Sequence, residues 1–161
     1  MRKLTTLLFI TLFALPCAAV DSEPRLQFKA NGFSIAPLEG TADTASYQAV
    51  MMFLPVSDQF APNVNVQIQP YNGTAQEYAN LSKQQFKAGS FTVESEKVTQ
   101  TAVLWEYSGL LQGRKLHWYA RAELGKGKVY LVTATATEAQ WQTVAAKLKA
   151  CVDSFKLEKG P

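Results

Sequence analysis

The 161-residue sequence predicts an α+β fold, an antiparallel β-sheet flanked by helices. Two segments, Thr74–Glu77 and Thr137–Gln140, are capping boxes that open runs with helical spacing. Extended segments rich in β-branched and aromatic residues surround them. Several of these are joined by glycine-containing links of hairpin length, which implies antiparallel neighbours.

Residues 1–19 read as a cleavable secretory signal peptide. Arg2 and Lys3 give a positive start, and Leu7 to Leu15 is an apolar run interrupted by Thr11. Pro16 ends a helix there. Cys17-Ala18-Ala19 puts small residues at −3 and −1 of a cleavage after Ala19. The run is shorter than the roughly 20 apolar residues of a membrane span. No other stretch comes close, so no transmembrane helix is expected in the mature chain. Cys17 leaves a lipid anchor as the alternative, but Leu15 is one place late for lipoprotein processing and Pro16 occupies the cleavage position. Cleavage after Ala19 leaves 142 residues, enough for one domain without a disulfide. Cys151 is then the sole cysteine and reads as a small buried hydrophobe. Loss of Arg2 and Lys3 leaves 14 basic against 13 acidic residues. With no basic stripe, nucleic acid is excluded as a partner.

Val20–Arg25 is a flexible lead, and residues 26–157 form the expected domain. Leu26–Pro37 holds two short extended pieces around the turn pair Asn31-Gly32. Leu38–Ser46 is a polar loop. Tyr47–Leu54 is a strand whose dense apolar run predicts burial on both faces. Pro55–Pro62 is a loop. Val64–Gln69 alternates, with Val64, Val66 and Ile68 on one face, the pattern of a half-buried strand. A helix follows the Thr74 box to about Ala88, with Gly89 as its stop. Phe91–Val98 is the next strand. Thr101–Leu111, Lys115–Leu124 and Lys128–Thr135 are three consecutive antiparallel strands, with turns at Gly113 and at Gly125-Lys126-Gly127. The last helix carries Trp141, Val144, Ala145, Leu148 and Val152 at helical spacing and ends near Asp153.

Phe60-Ala61-Pro62-Asn63-Val64-Asn65-Val66 resembles the PNVNV segment of PsbP-like proteins, a superfamily that includes the DcrB-type bacterial envelope proteins. Gly32–Ile35, Trp105–Tyr107, Val129–Ala134 and Val152–Phe155 are similar too, so the resemblance spans about 28–157. It implies a PsbP-like α/β/α sandwich and brings no shared catalytic residues. It also implies a non-enzymatic binding or assembly role. PsbP itself supports the oxygen-evolving side of photosystem II, and nothing in this sequence favours photosynthesis. Many bacterial relatives are lipid-anchored, which keeps Cys17 in view.

No pattern predicts catalysis, a metal or a cofactor. His117 is the single histidine, too few for an ordinary metal site. No G-x-S-x-G segment accompanies it. On its strand His117 shares a face with Tyr119, Arg121 and Glu123, which places it on a polar face or a sheet–helix interface. Glu94, Glu96, Glu106 and Glu123 are positioned to meet across strands, though spacing alone does not pair them. Gly125-x-Gly127 is a hairpin turn rather than a phosphate loop. The candidate partner-binding loop is Asp58, Phe60, Pro62 and Asn63, an aromatic set in a polar loop. Its structural alternative is Phe60 folded back onto the sheet end. The expected partner is an unknown envelope protein or a small apolar ligand, in the periplasm or outside the cell. A small-ligand or lipid carrier and a chaperone-like adaptor for apolar segments are the rivals; a hydrolase ranks last.

Overall fold

The computed structural model describes residues 25–28, 32–36 and 46–158. The expected signal peptide 1–19 with Cys17 and Ala19, and residues 20–24, 29–31, 37–45 and 159–161, lie outside the described residues. Strands β1 (Leu26–Phe28) and β2 (Phe33–Ile35) pair antiparallel in one compact unit. Arg25 Nε donates to Ser34 Oγ at 2.9 Å across that hairpin.

The second unit holds strands β3 (Tyr47–Phe53), β4 (Asn63–Pro70), β5 (Thr92–Val98), β6 (Ala102–Leu111), β7 (Arg114–Gly125) and β8 (Lys128–Thr137), with helices α1 (Ala75–Ala88) and α2 (Glu138–Asp153). The strands form one antiparallel sheet in the order β3-β4-β8-β7-β6-β5. The β6–β7 and β7–β8 links are two-residue turns. Gln112 and Gly113 have φ of 52° and 75°, and Lys126 and Gly127 have 55° and 72°. Positive φ at both central positions matches the right-handed twist of the flanking strands.

Both expected capping boxes are formed. Thr74 Oγ1 accepts from the Glu77 N–H and Thr137 Oγ1 from the Gln140 N–H, and each partner side chain returns a bond to the cap backbone. Gly89 ends α1 for a different reason than expected. Its φ is −81°, and it is Ser90 that enters the left-handed region, at 56°. A Cβ on Gly89 would stand 2.6 Å from the Phe91 ring, so this glycine makes room for packing.

The helices lie on opposite faces. Beneath α1, Tyr78 and Ala79 bury Val103, Trp105, Ala120, Ala122 and Val129. Tyr71, Tyr78, Trp105, Phe86, Tyr107, Trp118 and Phe91 form a chain of ring contacts there. Beneath α2, Trp141, Leu148 and Val152 bury Val64, Tyr119, Val132, Ala134 and Ala136. Cys151 is half-buried against this second cluster.

Strand β3 overturns one expectation. All seven of its residues are exposed, with Met51 at 44% and Phe53 at 62%, where the apolar run predicted burial on both faces. Among the described residues β3 is an edge strand bonded to β4 alone, and α2 covers β7 and β8 rather than reaching the edge. A dense apolar run marks a strand but does not give its place in the sheet order.

Candidate functional site: a buried histidine among carboxylates

The face under α2 carries a polar centre within an otherwise apolar interface. His117, on β7, is 3% exposed. Its ring stacks on Trp141 of α2, with centroids 4.1 Å apart and planes 19° from parallel. Register places Glu106 of β6 opposite Tyr119, two residue pairs along from His117 and so on the same face. The Glu106 carboxylate reaches His117 Nε2 at 3.2 Å. Glu138, the first residue of α2, reaches Nδ1 at 3.3 Å. A third carboxylate, Glu94 of β5, lies 3.7 Å from Nε2.

A β-bulge explains how Glu94 comes to this face. Val93 pairs with Tyr107 and Ser95 with Glu106, so the register slips across Glu94. Residues two apart on a regular strand share a face. The extra residue breaks that rule. Glu94 stays with His117, while Glu96 turns to the α1 face, where it accepts from Trp105 Nε1 at 3.1 Å and pairs with Lys83 at 2.8 Å. Glu123 forms a separate group, held by Arg121 at 2.6 Å and by Thr101.

Glu106 is the hub. Partial burial opposes its charge, but hydrogen bonds from Lys149, His117 and Trp141 together with the Lys149 ammonium outweigh it and hold the carboxyl below its ordinary range. Lys149 Nζ sits 2.7 and 2.8 Å from the two carboxylate oxygens. The same ammonium lies over the Tyr119 and Trp141 rings. Tyr119 donates to Asp153 at 3.0 Å, and its hydroxyl is pushed up to about 12, by burial first and then by Asp153.

Proton accounting defines what this centre can do. A neutral imidazole has one N–H, yet both ring nitrogens face carboxylate oxygens. Satisfying both contacts takes a second ring proton, a protonated carboxyl or a cation. Glu94, Glu106 and His117 each present one donor atom within 4.8 Å of the others. Three such atoms could supply part of a divalent-cation shell, with Glu138 on Nδ1 as an outer carboxylate. Lys149 already occupies both Glu106 oxygens, so a cation would have to displace it. For nucleophilic chemistry the ring is poorly placed, because each nitrogen is directed at a carboxylate rather than at a hydroxyl or thiol.

The four expected loop residues lie elsewhere, in the β3–β4 connection. Asp58 and Gln59 are exposed at a tight turn with φ of 50° and 59°. Phe60 is half-buried beneath the Arg114 guanidinium, 5.6 Å from its centroid. Pro62 is fully buried, and Asn63 is buried with its amide donating to the Ala61 carbonyl at 3.1 Å. Gln140 Nε2 fastens the turn through Ser57 and the Phe60 carbonyl. Gln140, the third helical residue in the α2 capping box, thus also anchors this loop. Sequence reasoning missed Glu138 and Lys149. Glu138 was visible only as part of a capping box. Lys149 falls eight residues after Trp141, close to the same helical face, which is the signal that could have found it.

A family model for PsbP matches residues 57–157. Among solved structures, the chain is similar to the protein of unknown function PA94 from Pseudomonas aeruginosa, with a TM-score of 0.61 at 15% identity, over 85% of this chain and 98% of that one. It is also similar to cyanobacterial PsbP (CyanoP) from Synechocystis sp. PCC 6803, with a TM-score of 0.47 at 14% identity, over 77% and 99%. No curated protein matches by sequence.

Proposed function

Because the chain belongs to the PsbP family, we propose that it is an exported, non-enzymatic binding or assembly module of the cell envelope, whose partner adds an extended segment at the β3 edge. PsbP-like domains are generally non-catalytic and often extracellular or lumenal, which agrees with the reading of residues 1–19 as an export signal and 26–157 as the domain.

The observation that carries the proposal is the contrast between the two edges of one sheet. Edge strand β5 (TVESEKV) carries Glu94, Glu96 and Lys97, the charged protection that blocks strand addition. Edge strand β3 (YQAVMMF) carries no charge and no proline, and it exposes Tyr47, Val50, Met51, Met52 and Phe53. Its outer backbone groups, unpaired among the described residues, are a template for an incoming strand, and its exposed side chains are the pockets' counterpart for selectivity. Methionines add an adaptable contact surface. The adjoining turn, with Val56 at 71% exposure and Asp58 beside it, extends the same surface, while Phe60, Pro62 and Asn63 hold the turn in shape.

Two observations bear on the rivals. The cleft between α1 and the sheet, lined by Gln67, Gln69, Tyr78, Phe86, Trp105 and Leu131, holds about 240 Å³. That falls below the roughly 300 Å³ at which ligand sites begin, which weighs against a carrier cavity between α1 and the sheet. For a hydrolase, one His117 nitrogen would have to be released from its carboxylate to meet a nucleophile or water, the other keeping its carboxylate as the orienting partner.

The test is a photo-crosslinking side chain at position 51 in exported protein, with a matched probe at Lys97 on the other edge. The expected result is a discrete adduct from Met51 that is lost on Val50→Pro. An adduct that survives Val50→Pro, or equal capture at Lys97, would overturn the edge assignment. An exported N-terminus other than Val20 would overturn the processing assignment.

A further inference from the structure

A second apolar surface lies on the α2 face, past the end of that helix. After Asp153 the chain runs along the sheet as the tail 154–158. Phe155 meets the Tyr130 ring at 6.0 Å. Leu157 rests against Gly125, so closely that a Cβ there would stand 2.9 Å from its Cδ1. Between tail and sheet lies a cleft of about 360 Å³, within the range of ligand sites. Its floor is Val66 and Ile68 of β4 with Tyr130 of β8, and Phe155 and Leu157 form its wall. The apolar floor continues outward, because Tyr47 is paired with Ile68 and Val50 with Val66. Tyr47 and Val50 are themselves exposed.

The polar lining belongs to the hairpin end. Lys126 sits in the β7–β8 turn next to Gly125, and Lys156 lies between Phe155 and Leu157, the residue that rests on Gly125. Both are exposed. Among the described residues, Glu158 is the one carboxylate in the lining, against two ammonium groups.

We propose that this cleft binds the anion of a single acyl chain, with the chain on the Val66–Ile68–Tyr130 floor and the carboxylate between Lys126 and Lys156. An apolar floor running to an open edge accepts a linear chain. The excess positive charge at one end fixes its direction. The cleft lining holds no β3 residue and strand addition uses the β3 backbone, so the two sites meet only at the outward side chains Tyr47 and Val50.

The test is calorimetric titration of the purified protein with sodium decanoate, with 1-decanol as the uncharged chain and phosphatidylglycerol vesicles as the membrane surface. One decanoate per chain is expected. Each exposed charge pair is worth about 0.2–1 kcal/mol, or up to about fivefold in affinity. The K126E/K156E variant, whose changes are at exposed positions, should therefore bind decanoate roughly tenfold more weakly, and E158Q should bind it more tightly. Decanol should bind more weakly than decanoate to the unaltered protein. No decanoate binding, equal affinity for decanol, or an unchanged affinity in K126E/K156E would overturn the proposal. So would capture by the vesicles without binding of free decanoate, which would assign the lysines to a membrane surface.

Discussion

Replacing His117 by alanine should cost the fold about 3 kcal/mol, and up to about 5. The largest share is the 3.2 Å contact to Glu106, because both groups are largely withdrawn from water. Hydrogen bonds to charged partners contribute about 1.5–3 kcal/mol. The Glu138 contact, at 3.3 Å, is discounted, because that carboxylate is 38% exposed and solvent screens it. Surface pairs contribute about 0.2–1 kcal/mol. Glu94 is further away and 41% exposed, so little is assigned to it. Loss of the ring stacked on Trp141 leaves a cavity, which adds roughly another kcal/mol. The assay is equilibrium urea unfolding of His117→Ala, Glu106→Gln and the double variant. A domain of this size should lose about 10–15 °C in melting temperature with the histidine. The double-variant cycle should return a coupling of about 1–3 kcal/mol between His117 and Glu106. A loss under about 0.5 kcal/mol, as at an ordinary surface position, would refute the reading of His117 as the keystone of the α2 interface.

Acid should loosen the same interface. Glu106 is held below its ordinary value of 4.5, so its stabilising effect is complete above that pH and is lost as pH falls through the depressed value. Lys149→Met should shift that acid transition to higher pH, read by Trp141 fluorescence. Alkali should act in the other direction. Tyr78 and Tyr119 are each raised from 10 to about 12, so their contribution is intact below pH 10 and is lost between 10 and 12. Tyr78→Phe should lessen the Tyr78 share of that loss. Met51→Lys on the exposed edge should change stability by under about 0.5 kcal/mol while abolishing partner capture, a separation that only a surface role produces. Gly109→Ala should cost about 1–3 kcal/mol in urea unfolding, because its Cβ would collide with the Phe91 ring.

Local chemistry determined much of this protein from its sequence. The capping boxes at Thr74 and Thr137 are short-range bonds among four consecutive residues, so they were readable without a fold. The same holds for the turns at Gly113 and Gly127, where left-handed backbone favours glycine. Alternation placed Val64, Val66 and Ile68 on one face and His117 with Tyr119, Arg121 and Glu123, because strand side chains repeat every two residues. The tertiary structure decided what spacing leaves open. Strand order put the apolar run Tyr47–Phe53 at an edge in solvent, since hydrophobic content says nothing of which neighbours a strand acquires. One bulged residue sent Glu94 and Glu96 to opposite faces. His117, read as an interface histidine, acquired its partners from β6, β5 and α2, at residues 11 to 24 positions away along the chain. Such contacts arise only when the sheet closes and α2 docks, because no short-range rule encodes a meeting between distant carboxylates and one buried ring.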